Sequence, residues 1–117
     1  MKIELPFPPA SLSGHNNGNR WGKAGEIARH RRWAKCATME VFGIAGLPES
    51  DGDINLTVRF IPANNRGDRV NYPNRMKPYF DGIADGLKVN DKRFNPMFIF
   101  CEPDAPGRVE IYVQVSK

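Results

Sequence analysis

Two periodicities divide the chain, and the points where one gives way to the other outline its elements. Residues 53–61 alternate as a half-buried strand: Ile54, Leu56, Val58 and Phe60 point one way, and Asn55, Thr57 and Arg59 the other. Residues 108–115 repeat the pattern, with Val109, Ile111, Val113 and Val115 sharing a face. A third strand over 96–102 leads into it through a turn over 103–107 that contains Pro103, Pro106 and Gly107. A short strand over 2–5 opens the chain and is stopped by Pro6, Pro8 and Pro9.

Helical spacing governs the stretches between. Ile27, Trp33, Ala34, Ala37, Val41 and Ile44 fall within an arc of about 120°, which predicts a packed helix from about 22–25 to about 45, ended by Gly46 and Pro48. His30 lies in that arc and is expected to be hydrogen-bonded and partly buried. A second helix is predicted over about 74–87, with Met76, Tyr79, Phe80, Ile83 and Leu87 as its stripe. Pro78 confines its start to near Asn74, because proline is tolerated only in the first turn. Asn71 or Asn74 is the expected cap. Residues 10–22, rich in Ser, Gly and Asn, read as a loop, and 62–67 and 88–95 as polar connections. The order β-α-β-α-β-β predicts one α+β domain over residues 1–117, a mixed four-stranded sheet with two helices packed against it.

Length and charge narrow the choice of partner. A chain of 117 residues fits one small domain with a modest core, which a dimer would reinforce. Seventeen Lys and Arg against 13 Asp and Glu give a net charge of +4, which favours a polyanionic partner. The excess is concentrated in Arg20, Lys23, Arg29, Arg31, Arg32 and Lys35, against Glu26 alone. Arg29, Arg31, Arg32 and Lys35 lie outside the apolar arc, so one helix face packs and the other is basic. A solvated face and a phosphate-binding face are both open, and the lack of interleaved acids favours phosphate. His15, Asn16, Asn17 and Asn19 are candidates for contact with phosphates or bases, or simply a surface loop.

No apolar run is long enough to span a membrane, and the start lacks a signal peptide's apolar stretch, so a cytoplasmic protein is expected. Cys36 and Cys101 make no disulfide framework and are expected to be buried thiols. The chain has no P-loop, no G-x-S-x-G, no H-E-x-x-H and no C-x-x-C, and its two histidines have no cysteine at zinc spacing. What remains is carboxylates among cations. Asp68, Asp81, Asp85 and Asp91 stand near Arg66, Arg69, Arg75, Lys77, Lys92 and Arg93. Acids within a DNA-attracting surface oppose its charge, and a bound Mg²⁺, which takes oxygen ligands and often needs only one or two carboxylates, gives them a role. Lys77, Asp81 and Asp85 also recur every four residues, the spacing of an ordinary salt-bridge row.

These residues follow a familiar order. Leu5-Pro6-Phe7-Pro8-Pro9 resembles the L-P-x-P-P opening of the RusA family of Holliday-junction resolvases. Asp68-x-x-Asn71, then Lys77, then Asp-Gly-Ile-Ala-Asp-Gly-Leu over 81–87, then Val-Asn-Asp-Lys-Arg-Phe over 89–94, resembles that family's D-x-D-N … K-x-x-x-D-(A/G)-L … D-D block. The match spans nearly the whole chain, and the long Asn71-to-Lys77 interval resembles the forms found in bacteriophages and prophages. The resemblance implies a homodimeric, Mg²⁺-dependent endodeoxyribonuclease that resolves four-way DNA junctions in recombination and repair. It implies Asp68 and Asp91 as metal ligands, Lys77 as the active-site lysine, and Asp81 as an acidic helix position beside them. Arg66, Arg69, Asn71 and Arg75 would join the basic helix in binding DNA.

One position departs from the pattern. Two residues after the first aspartate the family has a second, whereas this chain has Val70. Two functional readings therefore stay open beside the nuclease: a junction-binding protein impaired in cleavage, and an interaction protein with no role on DNA.

Overall fold

The chain is described here by a computed structural model over residues 1–13, 20–48 and 52–115, without the side chains of residues 20–22. Its elements are β1 (Lys2–Pro6), α1 (Arg20–Phe42), β2 (Ile54–Ile61), α2 (Lys77–Leu87), β3 (Phe94–Phe100) and β4 (Arg108–Val115). Short 3₁₀ segments at Ala10–Leu12, Arg69–Arg75 and Asp91–Arg93 join them. This is the α+β domain predicted, a mixed four-stranded sheet with both helices on one face.

The sheet order is β1-β4-β2-β3. β4 pairs antiparallel with both β1 and β2, and β2 pairs parallel with β3. A parallel pair cannot be joined by a hairpin, so α2 serves as the crossover between β2 and β3. Alternation decides which face is covered: Ile54, Leu56, Val58 and Phe60 of β2 and Val109 and Ile111 of β4 are completely buried. They meet Met76, Tyr79, Ile83 and Leu87, the predicted stripe of the second helix. Val115, grouped with the packed face of the last strand, is half-exposed at its end.

The helices lie unusually close. A methyl group on Gly82 would sit 2.1 Å from the carbonyl oxygen of Arg31 and 2.7 Å from the Ala34 methyl, and one on Gly86 would sit 2.8 Å from Thr38 Cβ. Only residues without side chains allow this approach. The Thr38 hydroxyl, completely buried in the contact, donates to the carbonyl of Ala34 at 2.7 Å and so needs no solvent.

Several boundaries differ from the prediction, each for a local reason. α1 begins at Arg20, inside the stretch expected to be loop, and residues 10–12 form a 3₁₀ turn. α1 ends at Phe42 rather than near 45, because Gly43 adopts φ +83° and its N–H closes on the Met39 carbonyl. The packed face of α1 centres on His30, Ala34 and Thr38; Trp33 lies on its flank and is 39% exposed, and Ile27, on the same face but closer to the helix start, is 36% exposed, where both were expected to pack. Ile44 lies beyond the helix and is exposed. The second helix is two pieces, a 3₁₀ segment with Pro73 inside it and an α-helix starting at Lys77 with Pro78 in its first turn. Neither asparagine caps α2, and Asp68 instead caps the 3₁₀ segment. β3 covers 94–100 instead of 96–102, because the turn at Asp91–Arg93 ends early. Pro6 is the last residue of β1 rather than its stop. Cys36 is exposed and Cys101 partly so, where buried thiols were expected. His30 is buried as expected, with Nδ1 2.7 Å from the Glu26 carbonyl. No helix among the described residues is long and apolar enough to cross a membrane.

The helix contact predicts opposite effects at two glycines. Gly82→Ala is expected to lower stability by roughly 1–3 kcal/mol through overpacking. Gly25→Ala in α1, with nothing within 4 Å of the added methyl, is expected to raise it by up to about 1 kcal/mol. Denaturant unfolding measures both, and a Gly82→Ala protein as stable as the parent would rule out the close contact.

Candidate nucleic-acid interface and acidic cluster

The fold assembles a cluster from the start of α2, its second turn and the turn that follows it. Lys77 opens the helix, and Asp81, one turn on, places Oδ1 2.9 Å from its ammonium. The 3₁₀ turn after α2 brings Asp91 back along the helix, so that its Oδ2 lies 2.7 Å from the same nitrogen. The reversal depends on Lys88, which takes a left-handed backbone conformation (φ 58°) and closes the helix on the carbonyls of Ala84 and Asp85. Asn90 then caps the turn by accepting from the Lys92 N–H at 2.9 Å. The Lys77 ammonium, by hydrogen bond and by charge, holds Asp91 below the ordinary carboxylate range, and Asp91 and Asp81 in turn raise Lys77.

Beside this cluster α1 contributes a second cation. Arg31 Nε and Nη2 donate to the two oxygens of Asp85 at 2.7 and 3.0 Å, a bidentate pair across the helix contact. Asp85 is held below the ordinary range by that guanidinium, and Lys35 adds to the effect. Asp81 and Asp91 also act on Arg31. Lys77, Arg31, Asp81, Asp85 and Asp91 therefore form one patch spanning both helices. Sequence spacing had already put Lys77, Asp81 and Asp85 on a single line, but the partner of Asp85 could not be read from it.

Asp68 takes no part in the contacts of this patch. Its Oδ1 accepts from the Val70 N–H at 3.1 Å and its Oδ2 from the Asn71 amide at 3.3 Å, at the head of the 3₁₀ segment. Val70 beside it is 80% exposed. Asp81 and Asp91 converge on one cationic atom, an arrangement by which two carboxylates and water can also hold one Mg²⁺. Among the described residues no group of three His, Cys, Asp or Glu side chains is placed to hold a metal ion.

The remaining candidates divide. Arg32 and Lys35 are exposed on α1 and make no ion pair among the described residues. Arg29 is held by Glu26 at 3.0 Å, and the Lys23 ammonium donates to the Ser13 carbonyl at 3.0 Å. Arg66 and Arg69 are exposed on the loop and segment around Asp68. Arg75 is structural: it lies over the Tyr72 ring, donates to the Pro8 carbonyl, and burial lowers its pKa. Asn71 is engaged with Asp68. The side chain of Arg20 and the whole of His15, Asn16, Asn17 and Asn19 lie outside the described residues.

No protein-family profile matches the chain. Over 96 residues it is 31% identical to an uncharacterized protein of Xylella fastidiosa (strain Temecula1), a match that takes in 80% of this chain. The chain spans 62% of the length of that relative.

The ion pairs predict a shift that can be read directly. Lys77→Met is expected to raise the Asp91 pKa toward the ordinary carboxylate value, and Arg31→Gln to do the same for Asp85. Because folding lowers both values, the pairs stabilise the fold above the carboxylate range and cease to do so as pH falls through the folded values. Carboxyl-carbon NMR titration measures this; an Asp91 value unmoved by Lys77→Met would mean that the pair does not form in solution.

Proposed function

We propose that the protein is a Mg²⁺-dependent endodeoxyribonuclease that acts on branched DNA, resolving four-way junctions as a cytoplasmic homodimer in recombination and repair. The observation that carries this reading is the Lys77 ammonium shared by Asp81 and Asp91 beside the cationic face of α1.

The residues have distinct parts. Arg32 and Lys35, with Arg29 and Arg31 on the same helix, attract and hold phosphates, so binding depends steeply on salt. Arg66 and Arg69 extend the positive surface toward Asp68. Lysine carries three N–H donors, and Asp81 and Asp91 engage two of those on Lys77. The third is available to a phosphate oxygen, where it stabilises the negative charge that develops as the ester is attacked. Asp91 and Asp81 are the carboxylates at hand for a metal, and Asp68 is the further acid that the sequence pattern suggests. Mg²⁺ supplies, when bound, the charge that polarises a phosphodiester and acidifies water.

The test is nicking of a synthetic four-way junction. Mg²⁺-dependent cleavage is expected, with Asp91→Asn and Lys77→Met lowering it at least about a hundredfold, in line with the loss of a transition-state donor, while salt-sensitive junction binding persists. Val70 stands where the similar family has an acid, and its 80% exposure means that Val70→Asp buries no charge. That substitution is expected to speed nicking. Val70 also favours the second reading, a junction-binding protein that does not cut. Tight, salt-dependent junction binding with no nicking in Mg²⁺ would select that reading and exclude the nuclease.

A further inference from the structure

Among the described side chains of α1, Trp33 is a large aromatic that the core does not use. Successive residues are about 100° apart around a helix, which puts Arg31 and Trp33 on opposite flanks. Between them, around the outer surface, come Lys35, Arg32 and Arg29 in turn. The first flank faces α2, where Arg31 holds Asp85. The second carries Trp33, 39% exposed.

Among the described residues Trp33 has two neighbours at its ring, and it is otherwise open. The Arg29 guanidinium lies 5.6 Å from the centre of its ring and is itself anchored on Glu26 at 3.0 Å. The buried His30 ring lies 4.7 Å from it and is tied to the Glu26 carbonyl and packed near Tyr79. An indole that is half-open, beside the Arg29 guanidinium and on the cationic side of α1 has the features of a platform on which a nucleobase stacks while the neighbouring phosphates meet cations.

We propose that Trp33, with Arg29 and Arg32, is a stacking site for an unpaired DNA base, one helix width, about 10–12 Å, across α1 from the Lys77 cluster. The proposal rests on the DNA-binding reading above and adds the feature of the substrate that is recognised. A base offers its face only where it has left the duplex stack, so the platform selects branch points and single-stranded segments over closed duplex. The cations between the two flanks carry the backbone from one to the other.

The test uses the full chain with Trp21→Phe, which leaves Trp33 as the sole tryptophan. Its fluorescence is followed during titration with a short oligothymidylate, a four-way junction and a fully paired linear duplex, each at several salt concentrations. Oligothymidylate is expected to quench Trp33. Trp33→Ala is expected to weaken oligothymidylate binding about tenfold, with duplex affinity and the salt slope unchanged, and Trp33→Phe to retain most of the affinity. No quenching, full affinity in Trp33→Ala, or an equal loss on all three DNAs would each overturn the platform. If Trp33→Ala matches a parent that binds DNA with steep salt dependence, only the platform falls. A parent that binds none of the three DNAs would remove the DNA-binding reading as well.

Discussion

The separation of α1 and α2 sets which charged side chains of the two helices meet. Gly82 and Gly86 leave the α2 backbone bare where it meets Arg31, Ala34, Lys35 and Thr38, and the helices settle almost in backbone contact. At that distance Arg31 reaches both oxygens of Asp85. The same approach sets the cationic face of α1 against the row of acids on α2. A wider gap would leave Asp85 without its guanidinium and make that edge of the patch more negative.

The charge balance of the patch follows from this packing. Asp81, Asp85 and Asp91 face Lys77 and Arg31, and Lys35 adds its charge at Asp85. Arg32 and Lys35 are exposed on α1 outside this patch and keep its surroundings positive. The opposite face of the sheet is arranged differently. Glu110, 5% exposed, is enclosed by Arg59, Arg108 and Lys2, and the Arg108 hydrogen bond holds it below the ordinary carboxylate range. Those cations are occupied in satisfying a buried acid. Arg32 and Lys35, exposed and without an ion pair among the described residues, lie instead on the helix layer, where Trp33 is also exposed.

The parts of this arrangement differ in how far they could be read from the chain. The strands at 53–61 and 108–115 were legible because β2 and β4 each turn one face to helices and one outward, so alternation survives in the sequence. The stripe of the second helix was legible for the same reason. β3 was misplaced by two residues, since an edge strand with Pro96, Met97 and Ile99 exposed has no clean alternation. In α1, Ala34, Thr38 and the Arg31 carbonyl make the close contact with α2, while Trp33 stays at the flank. Small residues define that interface, so the apolar arc pointed only partly toward it.

By itself the sequence determined the fold class, the order of elements, the basic character of the first helix and the line Lys77, Asp81, Asp85, because each of these is a matter of local period and composition. Tertiary structure alone decided which acids share a cation. Asp91 joins Lys77 because a left-handed Lys88 turns the chain back, whereas Asp68 accepts from the Val70 N–H and the Asn71 amide. Local periodicity sets which way a side chain points along its element. Which side chains meet across elements depends on how closely two backbones approach, and here two glycines set that distance.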